Sequence, residues 1–211
     1  MEIKLNEFVN DLNFSILVHF PFPLKSIPRE EDVCYVEEKS FDEVISVKDY
    51  IMENTDASED KMEQVLKMVQ LHTNAPLKDL TALESKKLQL ALALLHPKKI
   101  LVLEYFFEDL IYSEREYFKR LFRNLLYKRG ISVLFIEKDM NFVCETVKKF
   151  YLFFDDGRYR CVEDFYDDEI YEYVEMPYSV ELVKYLESKG HMIDHDYTFL
   201  ETLKALYRGL T

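Results

Sequence analysis

Residues 99–154 carry the clearest pattern of apolar and polar positions in the chain. Ile100-Leu101-Val102-Leu103 is an unbroken apolar run of strand length, as expected where both faces of a strand are buried. Phe118, Leu121, Phe122, Leu125 and Leu126 then recur at helical spacing. Ser113 is a candidate cap for that helix, and Lys128-Arg129-Gly130 is a closing signal, with cations in the last turn and glycine just beyond. Residues 131–136 form a second apolar run. The pattern predicts a β-α-β crossover, with parallel strands and a right-handed connection. A short helix from Asp139 should follow, then a hairpin of residues 150–154 and 159–162 around Asp155-Asp156-Gly157-Arg158.

The flanking pattern is of two kinds. Residues 46–95 read as helical. Ser58-Glu59-Asp60 is a start signal ahead of Met62, Val65, Leu66 and Val69. Thr81-Ala82-Leu83-Glu84 has capping-box spacing, and Leu88, Ala91, Leu92 and Leu95 continue the stripe until His96-Pro97 ends it. Residues 1–9 and 13–20 read as strands about an Asn10-Asp11 turn, and 32–36 as a third short strand. Pro21, Pro23 and Pro28 break the chain between them. The tail is acidic and tyrosine-rich, then helical over 178–189, which ends at Gly190, and over 198–208.

Composition narrows the classes. Hydrophobic residues make up 48% of 211, enough for a sizeable core. The formal net charge of −13 opposes binding to nucleic acid or to anionic lipid, both of which call for lysine and arginine. No apolar run approaches the ~20 residues of a membrane span. Met1-Glu2-Ile3-Lys4 lacks signal-peptide character, so the cytoplasm is the default expectation. Cys34, Cys144 and Cys161 are widely spaced, which predicts buried free thiols rather than a zinc site or disulfides. The four glycines stand at positions 130, 157, 190 and 209, so the first 129 residues have none. A phosphate-cradling loop needs glycine to let consecutive backbone N–H groups converge, and Gly-x-x-x-x-Gly-Lys-Ser/Thr is absent.

Landmarks at 31–160 then fall into a specific order. Val33-Cys34-Tyr35-Val36-Glu37-Glu38 is followed by Leu80-Thr81-Ala82-Leu83-Glu84, which opens the helix containing Leu88 to Leu95. Next come Ile100-Leu101-Val102-Leu103-Glu104-Tyr105, then Phe135-Ile136-Glu137-Lys138-Asp139, then the Asp155-Asp156-Gly157 turn. In this order the chain resembles the ATP-binding subunits of ABC transporters, matching in turn the Q-loop segment, the signature helix, the Walker B strand, the switch strand and the closing hairpin. The resemblance implies an α/β fold: a truncated P-loop NTPase-like sheet with a helical subdomain, without the phosphate loop and its helix. It implies a domain over 1–162, with the helical subdomain at 46–95 and a helical extension at 163–211. The tail from Met176-Pro177 through Gly190 is similar to the extension of the energy-coupling-factor branch.

The motif positions depart from the family. Glu38 stands for the Q-loop glutamine, while Ala82 and Leu83 stand for the signature glycines, between the helix-capping pair Thr81 and Glu84. Glu104 replaces the Walker B aspartate, Tyr105 the general-base glutamate and Lys138 the switch histidine. A phenol with a pKa near ~10 is a poor base at neutral pH. A triphosphate beyond the strand ends would meet Glu104 and Glu137 without a cradle, and one like-charge contact at ~4 Å costs ~1 kcal/mol in water and ~4 at a dielectric of 20.

Plainer readings stand beside these. Thr81 and Glu84 suit a helix cap, Glu104 and Asp109 suit solvated loop ends rather than a metal site, and Lys138 suits a salt bridge. His191 and His195 beside Asp194 and Asp196 read as an exposed loop, and the tyrosines of 166–178 as packing or interface.

The resemblance taken with these departures implies a non-catalytic subunit, with no catalytic residue, cofactor or metal expected. Its partners would be an ABC ATPase and a membrane permease, or a second copy, at the inner face of the membrane. Docking would fall on 38–50 and 62–84, with Phe41, Val44, Ile45 and Tyr50 forming an apolar groove. The alternative is a soluble pseudo-ATPase adaptor outside any transporter, and a third class is an enzyme using Glu104, Tyr105 and Lys138. Phe20, Phe22 and Leu24, in the place of the missing loop, are expected to plug the exposed sheet.

Overall fold

The computed structural model describes residues 5–9, 14–22, 31–36, 39, 41, 44–72, 74–192, 203, 204 and 207. Its strands are β1 (Ser15–Val18), β2 (Val33–Val36), β3 (Ile100–Glu104), β4 (Ser132–Glu137), β5 (Phe150–Phe153) and β6 (Tyr159–Val162). They form one sheet in the order β2-β3-β4-β1-β5-β6. The chain divides into two compact units, one of residues 2–14 and 23–135, the other built mainly of residues 15–22 and 136–211.

In the first unit, β2 and β3 pair in parallel, in register from Val33 against Ile100 to Val36 against Leu103. Ser132 N–H donates to the Lys99 carbonyl at 2.8 Å, so β4 starts beside the start of β3 and the two run the same way, as the crossover pattern predicts. The connection is helix α4 (Tyr112–Arg129). Its stripe of Phe118, Leu121, Phe122, Leu125 and Leu126 is buried. Gly130 closes it with φ 62°, in the left-handed region that glycine enters without strain. Phe106, Phe107, Phe118, Phe122 and Phe135 meet ring to ring in this core, mostly edge to face, and Phe14 joins through Phe135.

The helical region holds α1 (Val47–Asn54), α2 (Glu59–Val69) and α3 (Ala82–Leu95). Each is capped by a hydroxyl: Ser46 accepts from Asp49 N–H, Ser58 from Lys61 N–H and Thr81 from Glu84 N–H. Two expectations fail at helix starts and at the first residues. Helix α4 begins at Tyr112, so Ser113 is inside it; Glu114 reaches back to accept from Ile111 N–H at 3.0 Å and sets the start there. Leu5–Phe8 is a 3-10 helix rather than strand, because three residues per turn bring Leu5 and Phe8 to one side, where both are buried.

In the second unit, β1 pairs in parallel with β5, Leu17 opposite Tyr151, and β5 and β6 form the expected antiparallel hairpin. Every residue of β1 is buried. Asp139 caps α5 (Met140–Thr146) by accepting from Asn141 and Phe142 N–H, and α6 (Tyr178–Ser188) ends ahead of Gly190 at φ 87°. The thiols correct the sequence expectation: Cys34 and Cys144 are half-buried and Cys161 is exposed on edge strand β6. Of 198–208, residues 203, 204 and 207 are described and are helical. The other residues of that expected helix, the expected turn at Asn10-Asp11 and Leu24 lie outside the described residues.

Candidate functional site

The signature-like segment is a helix start. Thr81 Oγ1 accepts from Glu84 N–H at 3.3 Å, and Glu84 Oε2 accepts from Thr81 N–H at 3.0 Å, which closes the capping box that the spacing predicts. Ala82 is exposed and Leu83 half-buried. The backbone N–H of Thr81, then its hydroxyl, hold the Glu84 carboxyl below its usual range. The resulting stability is present above the ordinary carboxylate pKa and is lost as pH falls through the lowered folded one. Thr81→Ala should cost about 1 kcal/mol in a urea titration at neutral pH. An unchanged midpoint would mean that the box does not hold the helix.

The Walker B-like strand ends in a tight turn. Glu104 and Tyr105 are half-buried, and Tyr105 (φ 47°) and Asp109 (φ 63°) both take left-handed backbone, which is strained for a non-glycine residue. Glu108 N–H donates to the Tyr105 carbonyl at 3.1 Å. This turn buries Phe106 and Phe107 in the aromatic core. It meets α3 through Lys86, whose ammonium lies 5.4 Å from the Phe106 ring centroid. Lys87 is also buried; its Nζ donates to the Gln70 carbonyl at 3.1 Å and lies 4.8 Å from the Tyr117 ring. Burial lowers its pKa, against the pull of Glu84 and Glu114. Position 87 falls on the apolar stripe of α3, between Leu83 and Leu90 or Leu94, and that misplaced lysine is the signal that could have revealed the cluster.

Tyr117 donates its hydroxyl to the Val69 carbonyl at 2.6 Å, and burial pushes the phenol up to about 12. The folded state therefore holds this proton more tightly than the unfolded chain. The associated stability is complete below pH 10 and is lost as pH rises from 10 towards about 12. Urea midpoints from pH 9 upward should fall less steeply in Tyr117→Phe than in the parent (the half-buried Tyr171 phenol, shifted the same way, keeps some slope). Identical slopes would remove Tyr117 as a cause.

In the second unit, β4 ends at Glu137, a side chain only 2% exposed, while Lys138 after it is exposed. In the turn after β1, ahead of the expected plug residues, stands His19, which no sequence motif marks. His19 takes φ 52°. Its Nδ1 lies 3.2 Å from the Phe153 carbonyl, which can only accept, so Nδ1 carries the proton there. Nε2 faces Asp155 at 3.7 Å, and the ring lies near Tyr173. Phe20 and Phe22 are half-buried: Phe20 meets the Phe153 ring at 4.9 Å edge to face and Phe22 at 5.6 Å.

The described docking candidates differ in exposure. Phe41 is buried, its ring 5.5 Å from that of half-buried Tyr50, and Ile45 is half-buried while its carbonyl accepts from Leu77 N–H. Val44 is 75% exposed. Glu38 and His195 lie outside the described residues, and His191 is exposed. Among the described residues no group of three or more His, Cys, Asp or Glu is placed to hold a metal ion, and no helix is long and apolar enough to cross a membrane.

No protein-family model and no characterised protein matches this sequence. Solved structures do match it in shape. One is a metal-chelate type ABC transporter in an inward-facing conformation, 16% identical over 71% of this chain and 73% of that one, with a TM-score of 0.56. Another is a dimeric ATP-binding cassette in a post-hydrolysis state with ADP and Pi, 12% identical over 72% of this chain and 86% of that one, with a TM-score of 0.52. The fold is thus mixed α/β and ABC-ATPase-like, with a six-stranded sheet and helices.

Proposed function

We propose that this chain is a non-catalytic ABC-ATPase-like subunit that does not bind ATP and serves as the structural or regulatory half of a membrane transporter complex. Its partners are an active ABC ATPase and a permease, or a second copy of itself, at the inner face of the membrane. An energy-coupling-factor type of complex fits the similarity of the tail. The observation that carries the reading is the turn after β1. In place of glycines it has His19, Phe20, Pro21 and Phe22; Pro21 has no N–H to offer a phosphate, and Phe20 packs on Phe153. The residues standing at the other motif positions, Ala82, Leu83, Glu104, Tyr105 and Lys138, support the same reading.

Titration with ATP and magnesium is the test. A true site at 100 times its dissociation constant adds ~2.7 kcal/mol of stability, a shift easily seen on melting. No heat and no shift are expected. A clear shift abolished by Glu104→Gln would overturn the proposal. A second reading, a soluble adaptor outside any transporter, is favoured by the closure of Phe41 on Tyr50 beside the Lys48–Glu59 ion pair. Affinity purification from detergent-solubilised membranes separates the two. Recovery of a permease, weakened by Val44→Glu, supports the subunit; recovery of soluble partners alone supports the adaptor.

A further inference from the structure

The outer face of helix α4 turns basic in its second half. The chain as a whole has 40 Asp and Glu against 27 Lys and Arg, but the next acidic residue after Glu116 is Glu137. Arg120, Arg123, Asn124, Tyr127 and Lys128 follow one another at spacings of three and four, so they share a helix face, and all five are exposed. Arg129 is exposed at the helix end.

Two ordinary reasons for such a stripe fall short here. Cations in a last turn complement the helix dipole, but that effect fades within the turn. It covers Lys128 and Arg129 and leaves Arg120 and Arg123, which stand further back along the helix, without a reason. An exposed helix also pairs opposite signs three or four residues apart. Glu116, four residues before Arg120, is instead taken by Lys119 at 2.7 Å. Among the described residues Arg120, Arg123, Lys128 and Arg129 form no ion pair. Arg120 Nε donates to the Glu116 carbonyl at 3.2 Å, and the Arg123 guanidinium lies 5.9 Å from the Phe14 ring centroid. Each contact uses one edge or one face of a group that carries five N–H donors.

We propose that this face docks an acidic segment of a partner protein. The proposal does not depend on whether the chain binds ATP. Three of the four cations are arginines, whose planar forks take a carboxylate by two hydrogen bonds at once. Tyr127, 65% exposed, adds an aromatic side chain of the kind that interface centres favour. From Arg120 to Lys128 the stripe runs about 12 Å, at 1.5 Å per residue, little more than the distance over which salt screens a charge. A short acidic segment fits wholly against it. A lipid surface or a nucleic acid extends past the stripe and meets a chain whose net charge is −13, and a second copy brings the same charge with it.

The test titrates the full chain with a dye-labelled, capped Glu-Ala-Ala-Glu-Glu-Ala-Ala-Glu peptide and with its all-glutamine twin, read by fluorescence anisotropy. The glutamate peptide should bind with a dissociation constant of ~1 mM or below, and the twin about tenfold more weakly. Raising salt from about 50 to 300 mM should weaken the glutamate peptide severalfold. Its binding should shift the amides of Arg120, Arg123, Asn124, Tyr127 and Lys128. The double variant Arg120→Glu with Arg123→Glu should bind about tenfold more weakly or worse and melt close to the parent, since both side chains are exposed. Should that variant fail to fold, Arg120→Gln with Arg123→Gln removes the charges without reversing them and should weaken binding about threefold or more. The same reversal at Lys148 and Lys189, exposed on other elements, should change affinity by about twofold at most. Equal binding of the two peptides would overturn the proposal. So would an unchanged affinity in the arginine variants, an equal loss in the lysine variant, or tighter binding to phosphatidylserine vesicles or to an oligo-dT strand than to the peptide.

Discussion

Replacing Phe122 with alanine is expected to lower the unfolding free energy by about 3–5 kcal/mol. The ring is 0% exposed and stands within 5.4–6.2 Å, centroid to centroid, of Phe106, Phe107, Phe118 and Phe135. Truncation removes the transfer free energy of a buried ring and leaves a void that the surrounding rings cannot close without leaving their edge-to-face geometry. Native domains hold about 5–15 kcal/mol in total, so the variant should sit close to its unfolding threshold. Phe122→Leu, which keeps most of the volume, should cost clearly less. Urea titrations of the three proteins check this. A loss below ~1 kcal/mol for the alanine variant would mean that the aromatic cluster repacks freely and does not organise this unit.

The second large effect lies in the other unit. Phe153 is 0% exposed; its ring meets Phe20 at 4.9 Å and Tyr159 at 5.5 Å, and its carbonyl receives His19. Phe153→Ala is expected to cost about 3–5 kcal/mol as well. Phe20→Ala should cost much less, because Phe20 is already half in solvent. The informative number is the coupling in the double variant. A ring pair is worth about 0.5–1.5 kcal/mol beyond burial, so the two losses should fall short of additivity by about that amount. Strict additivity would show that Phe20 does not rest on Phe153, and its expected part in plugging the sheet would have to be given up.

Much of the fold was legible because it is local. The Thr81 and Glu84 box, the Ser58 and Asp139 caps, the glycine stop at Gly130 and the Asp155 to Arg158 turn each depend on residues within a few positions of one another. Propensity and short hydrogen bonds act at that range, so their spacing reads directly. The unbroken apolar runs of β3 and β4 announced two-sided burial, and both strands are buried. Local reading failed where two local solutions compete. Residues 5–8 alternate well enough for a strand, yet Leu5 and Phe8 reach the same core only through a 3-10 turn. Ser113 is a better cap by type than Ile111, but the reach of Glu114 decides the start.

The candidate site was legible as a set of substitutions and not as a place. Reading Ala82, Leu83, Glu104, Tyr105 and Lys138 against a family pattern requires only their order in the chain. Whether Phe41 is open or closed depends on Tyr50 swinging onto it, and whether Lys87 is a surface charge depends on Tyr117, thirty positions away, being under it. Side-chain burial is a property of what arrives from elsewhere.

From its order of residues alone this chain determined much of its alternation of strands and helices, the parallel run of β3 and β4, most of the caps that start and stop its helices, and the lack of any glycine before position 130. These follow from backbone sterics and from periodicity, which act over a turn or a strand. Only the tertiary structure decided that β1 lies beside β5, that two lysines are buried against aromatic rings, and that Phe20 rests on Phe153. Each joins residues far apart in the chain, and the free energy that joins them comes from removing surface from water, which no single segment can do by itself.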